Sequence, residues 1–365
     1  MKKINLLVTT VGGMTSPDIL KAFRNTKDYL INIIGVDAFE FAVGRNFVDI
    51  FEVSPNSTVD ELGFVDFVET LVKKHNIDII LPCGNEDNLA ISKYIDKISC
   101  KVIVGNYEDL IKSYDKGKVY DELKENIPEH CPKYFIVNNY QDFIESVKKI
   151  GYPNKKVVIK PRFGRGGRGV YILSDKFDFE NIFKSKPINE YPFEFFNSIL
   201  KNQNNFDDLI VMEYLKDPYY SIYSICKDGE NFFTINHTRE WGNASQTFRG
   251  KVYYDEKIGE LASKIIKKFN LSYTNNMELA TTDDGRIVLF DLNPRIGASS
   301  GIDKDIGFNF PLETLKLALG DKLEIDKSKF KMYKENIYIP TKKALQATKV
   351  DVASRTVLEF NGKKA

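Results

Sequence analysis

Short apolar runs at 4–10, 31–36, 77–82 and 101–104 alternate with helix-like segments near 17–27, 58–75 and 86–97. Strands that alternate with helices predict a parallel sheet covered by helices on its faces. The first hundred residues therefore read as an open α/β domain. The turn TTVGGMTSP follows its first strand, GVDAF puts Asp37 at the end of the second, and LPCGNEDN, Leu81 to Asn88, ends a later one. Ligands of open parallel sheets sit beyond the carboxyl ends of strands, so each turn is either a ligand site or an ordinary capped connection.

A polar helix begins near 105–115, where the first domain is expected to end. Beyond it, KYFIVNN, KKVVIKPRFGRGGRGVYILSD and DLIVMEYLKDPYYSIYSICKDGENFFTINHT alternate strands with turns. Residues 174–208 give no clear period, although 192–202 read as a helix. A further helix over 255–270 carries Ile258, Leu261, Ala262, Ile265 and Ile266 on one stripe, and 310–320 reads as another. The tail from about 325 to 365 is strand-like and carries no chemistry.

The stretch MELATTDDGRIVLFDLNPRIGASSG, Met277 to Gly301, sets Asp291 and Asn293 into an apolar run. Asp284-Gly285 predicts a two-residue hairpin turn with Asp283 opposite Arg286. Counting outward puts Ala280 opposite Leu289, Glu278 opposite Asp291 and Asn276 opposite Asn293. Like charges opposed across two strands repel unless a cation lies between them. Two carboxylates and an amide oxygen are hard ligands that suit Mg²⁺, which completes its shell with water and phosphate oxygens. The other reading is a solvated acidic strand face. Ile287 and Leu289, assigned to the same face, weigh against that.

The sequence has 365 residues, enough for two or three domains, with 42% hydrophobic content. Lys plus Arg number 52 against 51 Asp plus Glu, so a formal charge of +1 offers no bulk attraction to nucleic acid or membrane. Cys83, Cys100, Cys131 and Cys226 form no C-x-x-C pair, which argues against a zinc site or a disulfide framework and favours a reducing cytoplasm. The start MKKINLLVTTVGGM reads as a first strand, its apolar stretch being too short for a signal peptide. No run approaches the ~20 apolar residues needed to span a bilayer. Three histidines leave little room for a histidine cluster.

GRGGRG, Gly164 to Gly169, lies between the strands VVIKP and VYIL. Dinucleotide loops and P-loops must open a helix, so neither motif fits. What remains is a glycine-rich hairpin able to fold over polyphosphate, with backbone N–H groups, Arg165 and Arg168 as donors, or else a flexible basic hairpin tip. Lys160, at the end of the preceding strand, is placed to reach the same phosphates.

These residues, with VMEYL at 211–215 and FDLNPR ending at Arg295, resemble the ATP-grasp ligases, in the branch similar to the carbamoyl-phosphate synthetase large subunit. The likeness covers about residues 1–320. It implies a pre-ATP-grasp open parallel α/β domain over 1–112, then two α+β subdomains that sandwich ATP, a small lid over 113–185 and a large one with the metal site over 186–325, and a C-terminal extension over 326–365. It also implies ATP and Mg²⁺ (or Mn²⁺) as cofactors and activation of a carboxylate as an acyl phosphate. By resemblance, Lys118 and Lys160 contact the α- and β-phosphates, and Gly164, Arg165, Gly166, Gly167 and Gly169 belong to the lid. Glu213, Tyr214 and Leu215 form the adenine hinge. Glu278, Asp291 and Asn293 are the metal ligands, and Arg295 stabilises the transferred phosphoryl group. Asp217 and Tyr219 stand where relatives carry a glycine and a ribose-binding glutamate. Glu278 and Asp291 replace a common glutamine and glutamate. The chain is far shorter than the duplicated synthetase, which points away from carbamoyl phosphate as product.

INHTREWGNASQTFRG supplies His237, Arg239, Glu240, Trp241 and Arg249 on the expected substrate side. The arginines' planar forks suit a carboxylate, although both could equally face solvent and Trp241 could simply pack. GASSG, Gly297 to Gly301, either offers N–H donors to an acyl phosphate or is a plain connection. Together these expectations describe a carboxylate-amine ligase that forms an amide or peptide-like bond from small-molecule substrates, with a homodimer as candidate assembly. The alternatives are a kinase-like phosphotransferase on the same fold and a non-catalytic nucleotide sensor.

Overall fold

The computed structural model describes residues 1–13, 16–164, 166–175, 189–242, 247–297, 299–323, 325–326, 336–338, 349–351, 356–360 and 363–364. Its first unit contains β1 (Lys2–Val8), α1 (Ser16–Ala22), β2 (Tyr29–Asp37), β3 (Ile50–Val53), α2 (Glu61–His75), β4 (Ile79–Leu81), α3 (Asn85–Lys93) and β5 (Lys101–Val102). The strands form one parallel sheet in the order β3-β2-β1-β4-β5. This is the expected open α/β domain. The edge strand β3 escapes the apolar pattern because it is short and only half-buried. Helix α2 runs as its sequence dictates: Asp60 caps its start by accepting from Gly63 N–H at 2.9 Å, and Asn76 at φ 48° ends it in the left-handed region.

The polar segment after β5 forms two helices, α4 (Tyr107–Tyr114) and α5 (Lys116–Asn126). Asp115 breaks them apart, because its extended backbone lets its side chain cap α5 through Gly117 and Lys118 N–H. The second sheet contains β6 (Tyr134–Val137), β7 (Val157–Pro161), β8 (Tyr171–Leu173), β9 (Glu190–Tyr191) and β10 (Leu209–Glu213), in the order β6-β10-β7-β8-β9. The helices Tyr140–Ile150 and Phe193–Leu200 pack on it through Phe143, Val147, Phe196 and Leu200. The boundary expected at residue 185 is therefore corrected. Strand β10 inserts between β6 and β7, so this subdomain closes only after Glu213, a long-range pairing that local pattern does not encode.

The third sheet is antiparallel and built from β11 (Lys216–Lys227), β12 (Glu230–Thr238), β13 (Trp241–Gly242), β14 (Thr247–Tyr253), β15 (Tyr273–Thr281) and β16 (Ile287–Asn293), in the order β13-β14-β12-β11-β15-β16. The helix Glu256–Lys268 buries the five stripe residues named above against it. Its core also takes Val119, Tyr120 and Leu123 from α5 and Ile210 and Met212 from β10, so α5 and both sheets share one apolar interior. The helix Phe310–Leu319 sends Leu312 and Leu315 into the core of the first domain beside Ile4, Leu6 and Ile19. Of the tail, Asn336–Tyr338 pairs with β14, and strands within 349–364 pair among themselves. Among the described residues no helix is long and apolar enough to cross a membrane.

Candidate active site

The hairpin of β15 and β16 brings Glu278 opposite Asp291 and Asn276 opposite Asn293, as counted from the sequence. Nearer the turn the count differs. Thr282 N–H donates to Arg286 O at 2.9 Å around a three-residue loop, Asp283 to Gly285, with Gly285 at φ 85°. Ala280 accordingly pairs with Val288, not Leu289. The two-residue turn is thus corrected to a longer one, and a β-bulge at Phe290 inserts the residue that restores the register at the acidic end.

The bulge has chemical consequences. It turns the Phe290 carbonyl out of the ladder, where it accepts from Tyr120 hydroxyl at 2.7 Å and from Lys160 Nζ at 3.0 Å. Lys160 Nζ also donates to the Tyr120 hydroxyl at 2.7 Å. Lys160 is only 5% exposed, and burial pulls its ammonium down to about 7, with Asp291 opposing the shift and Lys116 adding to it. A buried lysine at the root of a glycine hairpin has the charge and the position to meet an anion.

Across from it, Ser221 Oγ donates to Glu278 Oε1 at 2.8 Å. Burial pushes the Glu278 carboxyl up to about 7; Ser221 and Arg239 resist, and the like charge of Asp291 adds to the rise. Asn293 Nδ2 donates to Asp291 Oδ2 at 3.1 Å. The buried Asp291 Oδ1 lies 3.0 Å from Lys116 Nζ but has no aligned hydrogen-bond donor. Among the described residues no three His, Cys, Asp or Glu side chains form a metal cage. Two carboxylates with an amide nevertheless fit Mg²⁺, which asks for one or two carboxylates and takes the rest from water and phosphate. One carboxyl raised by burial and one oxygen without a donor are what such an ion would satisfy.

Lys116, missed in the sequence, lies closer to this centre than Lys118. Helix α5 begins at Lys116, so Lys116 and Tyr120 share a face at i, i+4 while Lys118 is turned roughly 200° away. Lys118 is exposed. Lys116 Nζ also donates to Gly164 O at 2.7 Å, which ties the lid root to Asp291. Arg162, equally unforeseen, grips Asp115 with Nε and Nη2 at 2.7 Å each and Asp208 with Nη1 at 2.9 Å, locking the start of α5 to the end of β7. The loop between β7 and β8 is the expected hairpin, with Gly166, Gly167 and Gly169 at positive φ; Arg165 lies outside the described residues.

Arg295 is anchored on both sides. Its Nε donates to Asn85 Oδ1 at 2.7 Å, Nη1 to Ile296 O at 2.9 Å and Nη2 to Asn293 Oδ1 at 3.3 Å. LPCGNEDN thereby enters the centre through Asn85, at the start of α3. The half-buried Arg239 is close enough to Glu278 to favour its ionisation, whereas Arg249 is 54% exposed and faces Glu240 at 3.6 Å. The side chain of Trp241 lies outside the description. In the segment Glu213 to Leu215, the Glu213 carboxylate accepts from Lys133 N–H at 2.7 Å and lies 3.4 Å from Arg286, Tyr214 carries Lys156 over its ring, and Leu215 O accepts from Tyr219 hydroxyl at 2.6 Å. Tyr219 thus folds back onto this segment, and Asp217 is exposed.

Residues 205–338 match a family model described as ATP-grasp in the biosynthetic pathway with Ter operon. The N-terminal section of the carbamoyl phosphate synthase large chain from Aquifex aeolicus is 26% identical over 285 residues, 73% of this chain and 49% of that protein. The chain thus spans about half the length of that relative, and 24% of the full-length large chain of Methanobrevibacter smithii. Among solved structures, the N5-carboxyaminoimidazole synthetase of Staphylococcus aureus, complexed with ADP, superposes with a TM-score of 0.64 at 14% identity, over 89% of this chain and 79% of that one. The L-amino acid ligase of Bacillus licheniformis gives 0.63 at 14%, over 90% and 77%. Residues 205–338 are thus similar to an ATP-grasp family, the chain shares its fold with these synthetase and ligase structures, and in sequence it is similar to the carbamoyl phosphate synthase large chain.

Proposed function

We propose that the chain is an ATP- and Mg²⁺-dependent ligase that activates a small-molecule carboxylate as an acyl phosphate for capture by an amine. The observation that carries this reading is the opposed Glu278 and Asp291 pair, flanked by two lysines, Lys116 and Lys160, from the facing elements. Acid facing acid with cations beside it is the charge pattern of a metal-bound polyphosphate. The likeness to ligases of this fold supports it.

Lys160 and Lys116 neutralise phosphate oxygens from the side of the small subdomain, and the Gly164 to Gly169 hairpin covers them. Backbone groups of Glu213 to Leu215 meet the adenine, since the Glu213 carboxylate is already engaged. Glu278, Asp291 and Asn293 would hold Mg²⁺, which supplies charge neutralisation on the phosphate when bound. Arg295, its fork fixed by Asn85 and Asn293, and Arg239 orient the acceptor carboxylate toward the γ-phosphoryl group. Lid closure excludes water that would hydrolyse the acyl phosphate. Arg249, at the exposed rim, takes a lesser part than the sequence suggested.

A carboxylic-acid library, incubated with ATP, Mg²⁺ and hydroxylamine, tests the reading. The expected result is an acyl hydroxamate formed with ADP and phosphate, and lost in Asp291→Ala. A phosphorylated product without free phosphate would make the chain a phosphotransferase instead. Nucleotide binding without turnover across the library would make it a sensor.

A further inference from the structure

Behind the acidic pair lies a buried polar array that the proposed chemistry leaves unused. Tyr223, on β11, is 3% exposed. Its hydroxyl accepts from Ser299 N–H at 3.3 Å and lies 3.3 Å from Ser221 Oγ, the group that donates to Glu278. Its ring also supports the entry of the same loop: a β-carbon at Gly297 would come within 2.1 Å of Tyr223 Cε1. Behind the ring, His237 meets Tyr223 edge-on at 4.7 Å between centroids and pairs through Nε2 with Asp303 Oδ1 at 2.8 Å. Asp303 belongs to the short helix Ile302–Ile306 that leaves the loop, and both members of the pair are shut off from solvent. The loop is therefore gripped at its entry by the Tyr223 ring, in its middle by the Tyr223 hydroxyl and at its exit by His237.

We propose that Tyr223, braced by the His237 and Asp303 pair, is a positioning residue that sets the Gly297 to Gly301 loop against the Glu278 carboxylate. One aromatic side chain thus couples two parts of the site: the carboxylate that faces the metal and the backbone that faces the acyl group. Ser221 transmits the first coupling and the Ser299 amide the second. The inference rests on the ligase reading for its purpose, but the positioning is measurable without it.

Tyr223→Phe keeps the ring that fills the space under Gly297 and removes only the hydroxyl. Hydrogen–deuterium exchange of the full chain should speed up in the peptide covering residues 295–303 by about fivefold, the worth of one hydrogen bond, with other peptides unchanged and the melting temperature lowered by no more than about 2 °C. Asp303→Asn, close in shape, should open the same peptide. Unchanged exchange there in Tyr223→Phe, or faster exchange throughout the chain, overturns the proposal; native exchange in Asp303→Asn overturns the bracing by His237. In a second arm, Mn²⁺ titrated in the presence of ADP should bind Tyr223→Phe up to about tenfold more weakly than the native chain, as for loss of an outer partner of a ligand. Equal affinity removes the link to Glu278. If the native chain takes up no Mn²⁺ with ADP, the nucleotide-site reading fails, while the exchange data still decide whether Tyr223 positions the loop.

Discussion

Replacing Glu278 by Gln isolates the electrostatic cost of the acidic pair. The Glu278 carboxyl stands at about 7 against an ordinary 4.5, chiefly through burial, with Asp291 opposite adding repulsion. A carboxyl raised in the folded state keeps its proton after the unfolded chain has released it. Its contribution to stability is therefore whole below about pH 4.5 and is lost as pH rises through about 7. At 1.36 kcal/mol per unit, the shift corresponds to ~3 kcal/mol, and this is a ceiling because Glu278 is only half-buried. Gln packs in the same volume and does not titrate. Urea unfolding of both proteins without divalent metal, from about pH 5 to 8, should show the stability advantage of Glu278→Gln growing by ~2–3 kcal/mol. Mg²⁺ with ADP should then stabilise the native chain near pH 8 by more than it stabilises the variant, because the glutamine oxygen can still coordinate but only the ionised Glu278 carries a buried charge for the cation to offset. Parallel pH curves for the two proteins would refute the argument, since Glu278 would then be no more costly to ionise in the fold than in the unfolded chain.

Lys116→Ala should weaken ADP binding about tenfold by calorimetry while Lys118→Ala stays within about twofold, in keeping with ~1.4 kcal/mol per tenfold; equal effects would remove Lys116 from the site. Arg162→Ala strips the partner from Asp115, whose side chain is 6% exposed, and should cost ~3 kcal/mol in thermal unfolding, with Arg162→Lys recovering only part because one ammonium cannot span both carboxylates. Gly169→Ala forces a side chain onto φ 72° and to within 2.8 Å of Pro161, so it should raise the KM for ATP and destabilise the lid by ~1–3 kcal/mol. Gly166→Ala, at φ 60° in open space, carries only the backbone term and should lie at the lower end of that range.

Much of this was legible in the chain itself. The alternation of strands and helices up to residue 102, the stripe of the helix Glu256–Lys268, and the two strands around the glycine loop all follow from side chains a few positions apart. The opposition of Glu278 and Asp291 was read correctly, yet by two offsets that cancel: a turn one residue longer than Asp-Gly suggests and a bulge at Phe290. Nothing local announces that bulge. It is held by what it contacts, a tyrosine from α5 and a lysine from β7.

The sequence alone determined the residue types available for chemistry, their local elements and the periodicities that bury one face of each, because those depend on neighbours along the backbone. Only the tertiary structure decided that Lys116 and not Lys118 meets Asp291, that Asn85 of the first domain holds Arg295, and that β10 closes the second sheet. Such contacts join segments remote in sequence, and which of them form depends on how helices and sheets pack against one another in space.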